Sequence, residues 1–222
     1  LNTVLQITQK ALELWVSSRL DDLTYFAKDQ SLVVLSKYLL NEYDSGISIM
    51  DSEELQKIRA LVSNKMKRHD DLDFFIIAPD RVNIASKQDA IIGSENIINQ
   101  QRKGYLDRVF LGETLFITNV VADIHLKYTS TIMTNKQHRV FIATPILDET
   151  KNIMAALIIR LNPMNQFSRI TQLGRVGETG ETYAFGNKGR LITQSRFNDQ
   201  LNAVEDIVDD GSGILSIRVT DP

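Results

Sequence analysis

The first 45 residues of the chain contain neither glycine nor proline, so no residue in this segment is a strong helix breaker. Its apolar residues recur at the spacing of an amphipathic helix, at Leu1, Leu5, Leu12, Trp15, Leu23 and Phe26. An unbroken helix of 45 residues would span roughly 65 Å, and a break is predicted near Asp29-Gln30-Ser31. The segment predicts either a surface helix packed on a sheet or a stalk helix that spans two stacked modules and pairs with a second copy.

The rest of the chain alternates between helical and strand patterns. Ser52 followed by Glu53 and Glu54 supplies an N-cap and an acidic first turn for a helix that ends near residue 68. Strand patterns then predict one hairpin from residues 74–78 and 82–85, and a second from 140–147 and 153–161. A helix over 95–111, a strand over 115–121, a polar loop over 122–137 and a short helix over 164–172 complete the prediction. Helices beside antiparallel hairpins indicate an α+β fold.

Composition excludes several classes of function. The net charge is −3 and the sequence pI is about 5.7, whereas a nucleic-acid-binding domain would carry a basic stripe. Cysteine is absent, which excludes disulfides, thiolate catalysis and cysteine metal sites. The longest apolar run is Ile153–Ile159, far shorter than the roughly 20 residues of a membrane-spanning helix. No signal-peptide pattern opens the chain, and a soluble fragment of a membrane protein would have the same composition.

Five of the eleven glycines lie between residues 174 and 197. Three of them are spaced three apart, which suits a tight loop, and the next two flank a turn between predicted strands 182–185 and 190–193. The spacing lacks the Gly-Lys-Ser/Thr of a phosphate-binding loop and is not Gly-x-Gly-x-x-Gly. The hairpin over 183–195 also resembles residues 75–86, which predicts two related sheet modules.

Three segments carry a family resemblance: TPILDETKNIMAALIIRLNP over 144–163, GRVGETGETYAFGNKGRLITQSRF over 174–197, and the final RVTDP. They resemble the double-Cache sensor domains of bacterial transmembrane receptors. The resemblance implies an α+β fold in which a long N-terminal helix over 1–50 precedes two PAS-like antiparallel-sheet modules. The first would be a membrane-distal module over 51–163 that holds the ligand pocket. The second would be a membrane-proximal module over 164–222 that lacks its closing strands.

The resemblance also implies a function. It predicts a periplasmic domain of an inner-membrane protein that senses a small polar or carboxylated ligand and passes the signal to a histidine kinase. A diguanylate cyclase or a chemoreceptor is the alternative parent. Transmembrane helices would flank the domain, a homodimer would form through the N-terminal helix, and no cofactor or catalytic activity is expected within it.

The same resemblance nominates ligand contacts. Family members that bind amino acids carry Arg-x-Trp-Tyr, in which arginine and tyrosine hold the ligand carboxylate, and a later aspartate that holds the ammonium group. Arg102 and Tyr105 match this string, whereas Gly104 replaces the tryptophan and so removes an apolar wall. Asp148 stands where the aspartate is expected. A solvated helix face is the alternative for Arg102 and Tyr105, and turn chemistry is the alternative for Asp148.

Asp123 is the fourth candidate. It lies two residues before His125 in the predicted loop, where the pair would bind a ligand or sense pH, or else form ordinary loop surface.

The three histidines do not have the spacing of a zinc site, and the acidic residues near 206–211 lack the pattern of a calcium loop. A cytoplasmic PAS-type module that binds haem or flavin and a small α+β hydrolase are the remaining alternatives, although no Ser/His/Asp elbow motif is present.

Overall fold

The structure, a computed structural model, describes residues 2–69, 71, 73–128, 131–162, 166–172, 182–185, 191, 193, 195, 197 and 200. In chain order the helices are α1 (Asn2–Phe26), α2 (Gln30–Asp44), α3 (Glu53–Met66), α4 (Ile97–Val109) and α5 (Gln166–Gln172). The strands are β1 (Asp73–Ile77), β2 (Asn83–Ser86), β3 (Leu115–Tyr128), β4 (Thr131–Leu147) and β5 (Ile153–Arg160), with a short 3-10 helix over Asp89–Ile91. The predicted α+β class is confirmed.

The N-terminal helical segment breaks where the sequence predicts it. α1 has 25 residues, about 37 Å, and α2 begins after a three-residue interruption. Asp29 is the N-cap residue of α2. Its Oδ1 accepts hydrogen bonds from the backbone N–H groups of Ser31 (2.9 Å) and Leu32 (3.2 Å). A carboxylate in this position satisfies N–H groups that have no partner within the new helix.

The five strands form one sheet in the order β2-β1-β5-β4-β3. β1 pairs antiparallel with β2 and β5, and β5 pairs antiparallel with β4. Every residue of β1 is buried, as are the six central residues of β5. These are the continuous apolar runs of the sequence, and such runs are typical of strands covered on both faces.

The strand register shows which side chains of the central strands share a face of the sheet. On one face, Ile142 of β4 lies opposite Ile159 of β5, and both line a small cavity of about 20 Å³ together with Leu23 of α1 and Met66 of α3. Helices α1 and α3 therefore cover this face. On the other face, Phe75 and Phe141 approach with ring centroids 6.2 Å apart.

The predicted loop over 122–137 is wrong. β3 continues to Tyr128 and β4 begins at Thr131, so most of this segment is extended strand. The sequence contains a signal that our interpretation overlooked, because Ala122, Ile124, Leu126 and Tyr128 alternate with the polar residues 123, 125 and 127. Strict alternation is the two-residue period of a strand. Polar residues on every second position are compatible with a strand and do not by themselves indicate a loop.

The chain divides into two compact units. One comprises Leu1–Ser17, Thr118–Val140 and Asn162–Pro222, and the other comprises Ser18–Ile117 and Phe141–Leu161. In the first unit, an antiparallel bridge between Phe185 and Leu191 confirms that the two arms of the glycine-flanked hairpin pair. The glycine loop over 174–181, the hairpin turn over 186–190, the acidic cluster over 206–211 and the final RVTDP lie outside the described residues.

Candidate ligand-binding site

Helix α4 carries two of the four candidate residues, and its start is anchored in the core. The N-cap residue Asn96 is fully buried, and its Oδ1 accepts the backbone N–H of Ile98 at 2.9 Å. Its Nδ2 donates to Oδ1 of Asn83 in β2 at 2.7 Å, and Nδ2 of Asn83 donates to the carbonyl of Ser94 at 3.0 Å. The helix therefore begins at a position fixed by side-chain hydrogen bonds to the sheet.

The helix is kinked at the first candidate. Arg102 has φ −145° and ψ 45°, which lie outside the helical region, while the residues on both sides remain in α4. Arg102 and Tyr105 are half-buried, whereas Lys103 and Gly104 between them are exposed. A Cβ atom at Gly104 would meet no heavy atom within 4 Å, so packing does not require glycine where the family string has tryptophan.

The C-terminal half of α4 is tied to the β1–β2 turn by Arg81, a residue that the sequence analysis did not single out. Arg81 has φ 74°, a left-handed conformation that is uncommon for residues other than glycine. Its guanidinium carbon lies 4.0 Å from the centroid of the Phe110 ring, and its Nη2 donates to Oδ1 of Asp107 at 3.1 Å. The sequence gives no local signal for these two contacts, because Asp107 and Phe110 both lie more than 20 residues from Arg81 along the chain.

The β1–β2 turn also contacts α2. The hydroxyl of Tyr43 donates to Oδ2 of Asp80 at 2.6 Å. This bond, with smaller contributions from burial and nearby carboxylates, raises the pKa of Tyr43 to about 12. We call Tyr43, Asp80, Arg81, Asp107 and Phe110 the turn clamp, since together they connect α2 to α4 through the β1–β2 turn.

Asp148 occupies the β4–β5 turn. Its Oδ1 accepts hydrogen bonds from the hydroxyl (2.7 Å) and backbone N–H (2.8 Å) of Thr150 and from the backbone N–H of Asn152 (2.9 Å). These bonds lower the pKa of Asp148, with the Thr150 hydroxyl contributing most. The carboxylate thus performs the turn chemistry that the sequence offers as the alternative to ligand binding.

The fourth candidate lies in a different unit. Asp123 and its neighbour His125 are in β3 rather than in a loop, within the unit that contains Thr118–Val140. Their side chains lie outside the described part of the structure. The structure thus places Arg102 and Tyr105 on one kinked helix, and Asp148 in a turn of the same unit.

A buried carboxylate beside an arginine on the sheet was missed by sequence reasoning. Asp73 of β1 is only 1% exposed and lies opposite Arg160 of β5 in the strand register. Burial raises the pKa of Asp73, while the N–H of Phe74, the charge of Arg160 and a hydrogen bond from Gln88 oppose the shift. Burial also lowers the pKa of Arg160. Asp73 and Arg160 are neighbours because of the register between β1 and β5, and no local sequence pattern indicates that register.

Two further features concern the described residues alone. Among them, no cluster of three or more histidine, cysteine, aspartate or glutamate side chains is placed to hold a metal ion. None of the described helices combines the length and apolar character needed to cross a bilayer.

The fold is similar to those of solved sensor and ligand-binding domains. The sensor domain of the Vibrio cholerae histidine kinase DctB aligns with 96% of this chain and 76% of its own, at 15% identity and a TM-score of 0.51. The ligand-binding domain of the Campylobacter jejuni chemoreceptor Tlp3, in complex with L-valine, aligns with 92% of this chain and 73% of its own, at 14% identity and a TM-score of 0.50. No protein-family model matches the sequence, and no curated protein matches it. The chain has the fold of Cache-type sensor domains, as the sequence predicts.

Proposed function

We propose that this chain is the periplasmic sensing domain of a transmembrane histidine kinase, and that it binds a small polar or carboxylated ligand. The observation that supports the proposal is the fold shared with the DctB sensor domain and the Tlp3 ligand-binding domain. Both are sensing or ligand-binding parts of larger signalling proteins. The flanking transmembrane helices and the kinase belong to the parent protein, and the domain itself acts by binding rather than by catalysis.

The ligand site that we propose is centred on α4, in the unit that comprises Ser18–Ile117 and Phe141–Leu161. Arg102 would pair with a ligand carboxylate, because a guanidinium presents two parallel N–H groups that match the two oxygens. Tyr105 follows three residues later on the same helix and, like Arg102, is half-buried. Asp148, in the same unit, is the proposed partner for a cationic or hydroxyl group of the ligand. Gly104 does not supply the apolar wall that tryptophan forms in the family string, so the proposal is not restricted to α-amino acids.

The turn clamp supports a route for the signal. Arg102 and Asp107 belong to the same helix, and Asp107 holds Arg81, whose turn is bonded to Tyr43 of α2. A ligand that shifts α4 would thereby bias the position of α2, provided that it binds one conformer more tightly than the other. Identical structures with and without a cognate ligand would contradict this route.

A ligand screen with the isolated domain tests the site. We expect one carboxylated compound among amino acids, organic acids, amines and purines to raise the melting temperature. At 100 times its dissociation constant, such a ligand adds about 2.7 kcal/mol to the unfolding free energy. Arg102→Ala should abolish the shift. Lys103→Ala removes a neighbouring exposed charge and should retain it, and a shift that survives in Arg102→Ala would exclude this site.

Asp148 needs a variant that separates its two roles. Asp148→Asn preserves an oxygen acceptor for the turn while removing the negative charge. If Asp148 binds the ligand, this variant should keep the melting temperature of the free domain and lose affinity for the ligand. Unchanged affinity would assign Asp148 to the turn alone.

We also propose that the domain forms a homodimer through α1. Ile7 and Leu14 are 61% and 60% exposed, and their spacing of seven residues puts them on one side of the helix. Such a stripe suits pairing with a second copy. Sedimentation should show concentration-dependent association that Leu14→Glu weakens, and a monomer at millimolar concentration would count against the dimer.

The similarity to Tlp3 keeps a chemoreceptor as the alternative parent, and a diguanylate cyclase is a third. Incubation of the full-length protein with ATP and with GTP separates the three. Autophosphorylation on histidine supports a kinase, and formation of cyclic diguanylate supports a cyclase. A parent with neither activity would favour the chemoreceptor.

A further inference from the structure

A groove of about 540 Å³ lies in the unit that contains α4, on a surface that the proposed ligand site does not use. One wall is the end of α1 and the interruption that follows it, with Tyr25, Lys28 and Asp29. The other wall is the end of α3 and the turn that follows it, with Lys65 and Arg68. Its volume falls within the range of small-molecule sites, about 300 to 1,000 Å³.

The groove is positively charged although the chain carries a net charge of −3. Three cationic side chains and one carboxylate line it, so the local charge is +2. The carboxylate of Asp29 is already engaged, since its Oδ1 accepts two backbone N–H groups at the start of α2. The dipole of α3 favours Lys65 and Arg68 at that helix end, but it does not account for Lys28, which comes from the opposite wall.

Aromatic side chains complete the lining. Phe26 is 7% exposed, and Nζ of Lys65 lies 5.7 Å from the centroid of its ring. This cation–π contact gives Lys65 a defined direction rather than leaving it free in solvent. Tyr25 is 79% exposed and lines the same groove, so a ligand there would meet one accessible aromatic side chain as well as cations.

We propose that this groove is a second ligand site, which binds a small molecule with at least two anionic groups, such as a polyphosphate or polycarboxylate of the size of citrate. Cations on both walls match a ligand whose charges are separated, and a single monovalent anion would engage only one wall. The ligand would join the α1–α2 interruption to α3. This proposal stands independently of the site on α4.

Calorimetric titration of the domain with pyrophosphate and with citrate, at matched ionic strength, tests the groove. We expect saturable binding that weakens as sodium chloride is added, because exposed charges are screened. Lys28→Gln and Arg68→Gln should each weaken binding two- to tenfold, and the double variant should weaken it further. Lys67→Gln is the matched control, since Lys67 is an exposed cation at the same end of α3 that does not line the groove, and it should change affinity less than twofold.

Four results would overturn the proposal. The first is the absence of saturable binding by either probe. The second is an equal effect of Lys67→Gln and Arg68→Gln, which would indicate diffuse charge attraction. The third is loss of the binding in Arg102→Ala, which would assign the anion to α4 and leave the proposed sensing function standing. The fourth is a change in sedimentation without a change in affinity for Lys28→Gln, which would assign the groove to self-association.

Discussion

At the scale of single residues, one buried ion pair joins α1 to the segment before β1. Nη2 of Arg19 donates to both carboxylate oxygens of Asp71, at 2.7 and 2.6 Å. Both side chains are only 6% exposed. A buried pair need not stabilise a fold more than apolar residues would, but the loss of one partner leaves the other charge buried without compensation.

We therefore expect Asp71→Asn to lower the unfolding free energy by about 3–5 kcal/mol, measured by urea denaturation at pH 7. The double variant Arg19→Met, Asp71→Leu removes both charges and should recover most of this loss. Similar stability for wild type and Asp71→Asn would mean that solvent reaches the pair.

The buried Asp73 predicts a dependence of stability on pH. Its pKa in the folded state is raised by burial, so folding favours the protonated carboxyl. Its contribution is therefore greatest below its unfolded pKa, near 3.9, and is lost as pH rises through the folded pKa. The stability difference between wild type and Asp73→Asn should favour wild type more at pH 4 than at pH 7. Urea unfolding at both values checks this, and a difference that does not change with pH would place the folded pKa at its ordinary value.

At the scale of elements, α4 depends on its first residue. Asn96 caps the helix through Oδ1 and bonds Asn83 through Nδ2, and both asparagines are buried. Removing the side chain would abolish the cap and leave a buried amide oxygen of Asn83 without this donor. Each loss costs about 1 kcal/mol or more.

Asn96→Ala should accordingly lower the unfolding free energy by about 2–4 kcal/mol. Because α4 carries Arg102 and Tyr105, the variant should also weaken ligand binding in the screen described above. Gln100→Ala, at an exposed position of the same helix, should change stability by less than about 0.5 kcal/mol. An Asn96→Ala protein as stable as wild type would show that α4 is held by other contacts.

The elements that were predicted well are those with local signals. Asp29, Ser52 and Asn96 precede helices as capping residues, and each cap hydrogen bond is present. The β1–β2 and β4–β5 hairpins follow from apolar runs separated by turn residues. The exception is the segment 122–137, where alternating residues form strands in spite of high polarity. The resemblance to Cache sensors brought Arg102 and Tyr105 to attention, but no sequence pattern indicated the kink at Arg102 or the left-handed backbone of Arg81.

At the scale of the whole molecule, the two compact units do not follow the order of the chain. The unit that contains α4 begins at Ser18, so the second part of α1 and all of α2 belong to it. Leu23 is 4% exposed, and Leu32 and Leu39 are fully buried. A module that starts at residue 51 lacks these side chains and would expose the apolar surface that they cover.

We predict that a fragment over 18–163 folds cooperatively, whereas a fragment over 51–163 does not. Large apolar side chains that are lost from a core each cost about 2–5 kcal/mol, and three such losses approach the whole stability of a domain. Circular dichroism and urea titration distinguish the two fragments. Cooperative unfolding of the shorter one would show that α1 and α2 are dispensable and would support the module boundary predicted from sequence.

The sequence alone determined which segments form helices and hairpins, because caps, turn residues and apolar periodicity act over a few neighbouring residues. It also indicated the α+β class and, by resemblance, the Cache fold. The tertiary structure decided the rest: the turn clamp, the charged groove, the buried pair of Arg19 and Asp71, and the position of Asp73 beside Arg160. These features join distant parts of the chain, as with Arg19 and Asp71 at a separation of 52 residues. Their contacts exist only after the sheet and helices have packed, so no local pattern encodes them.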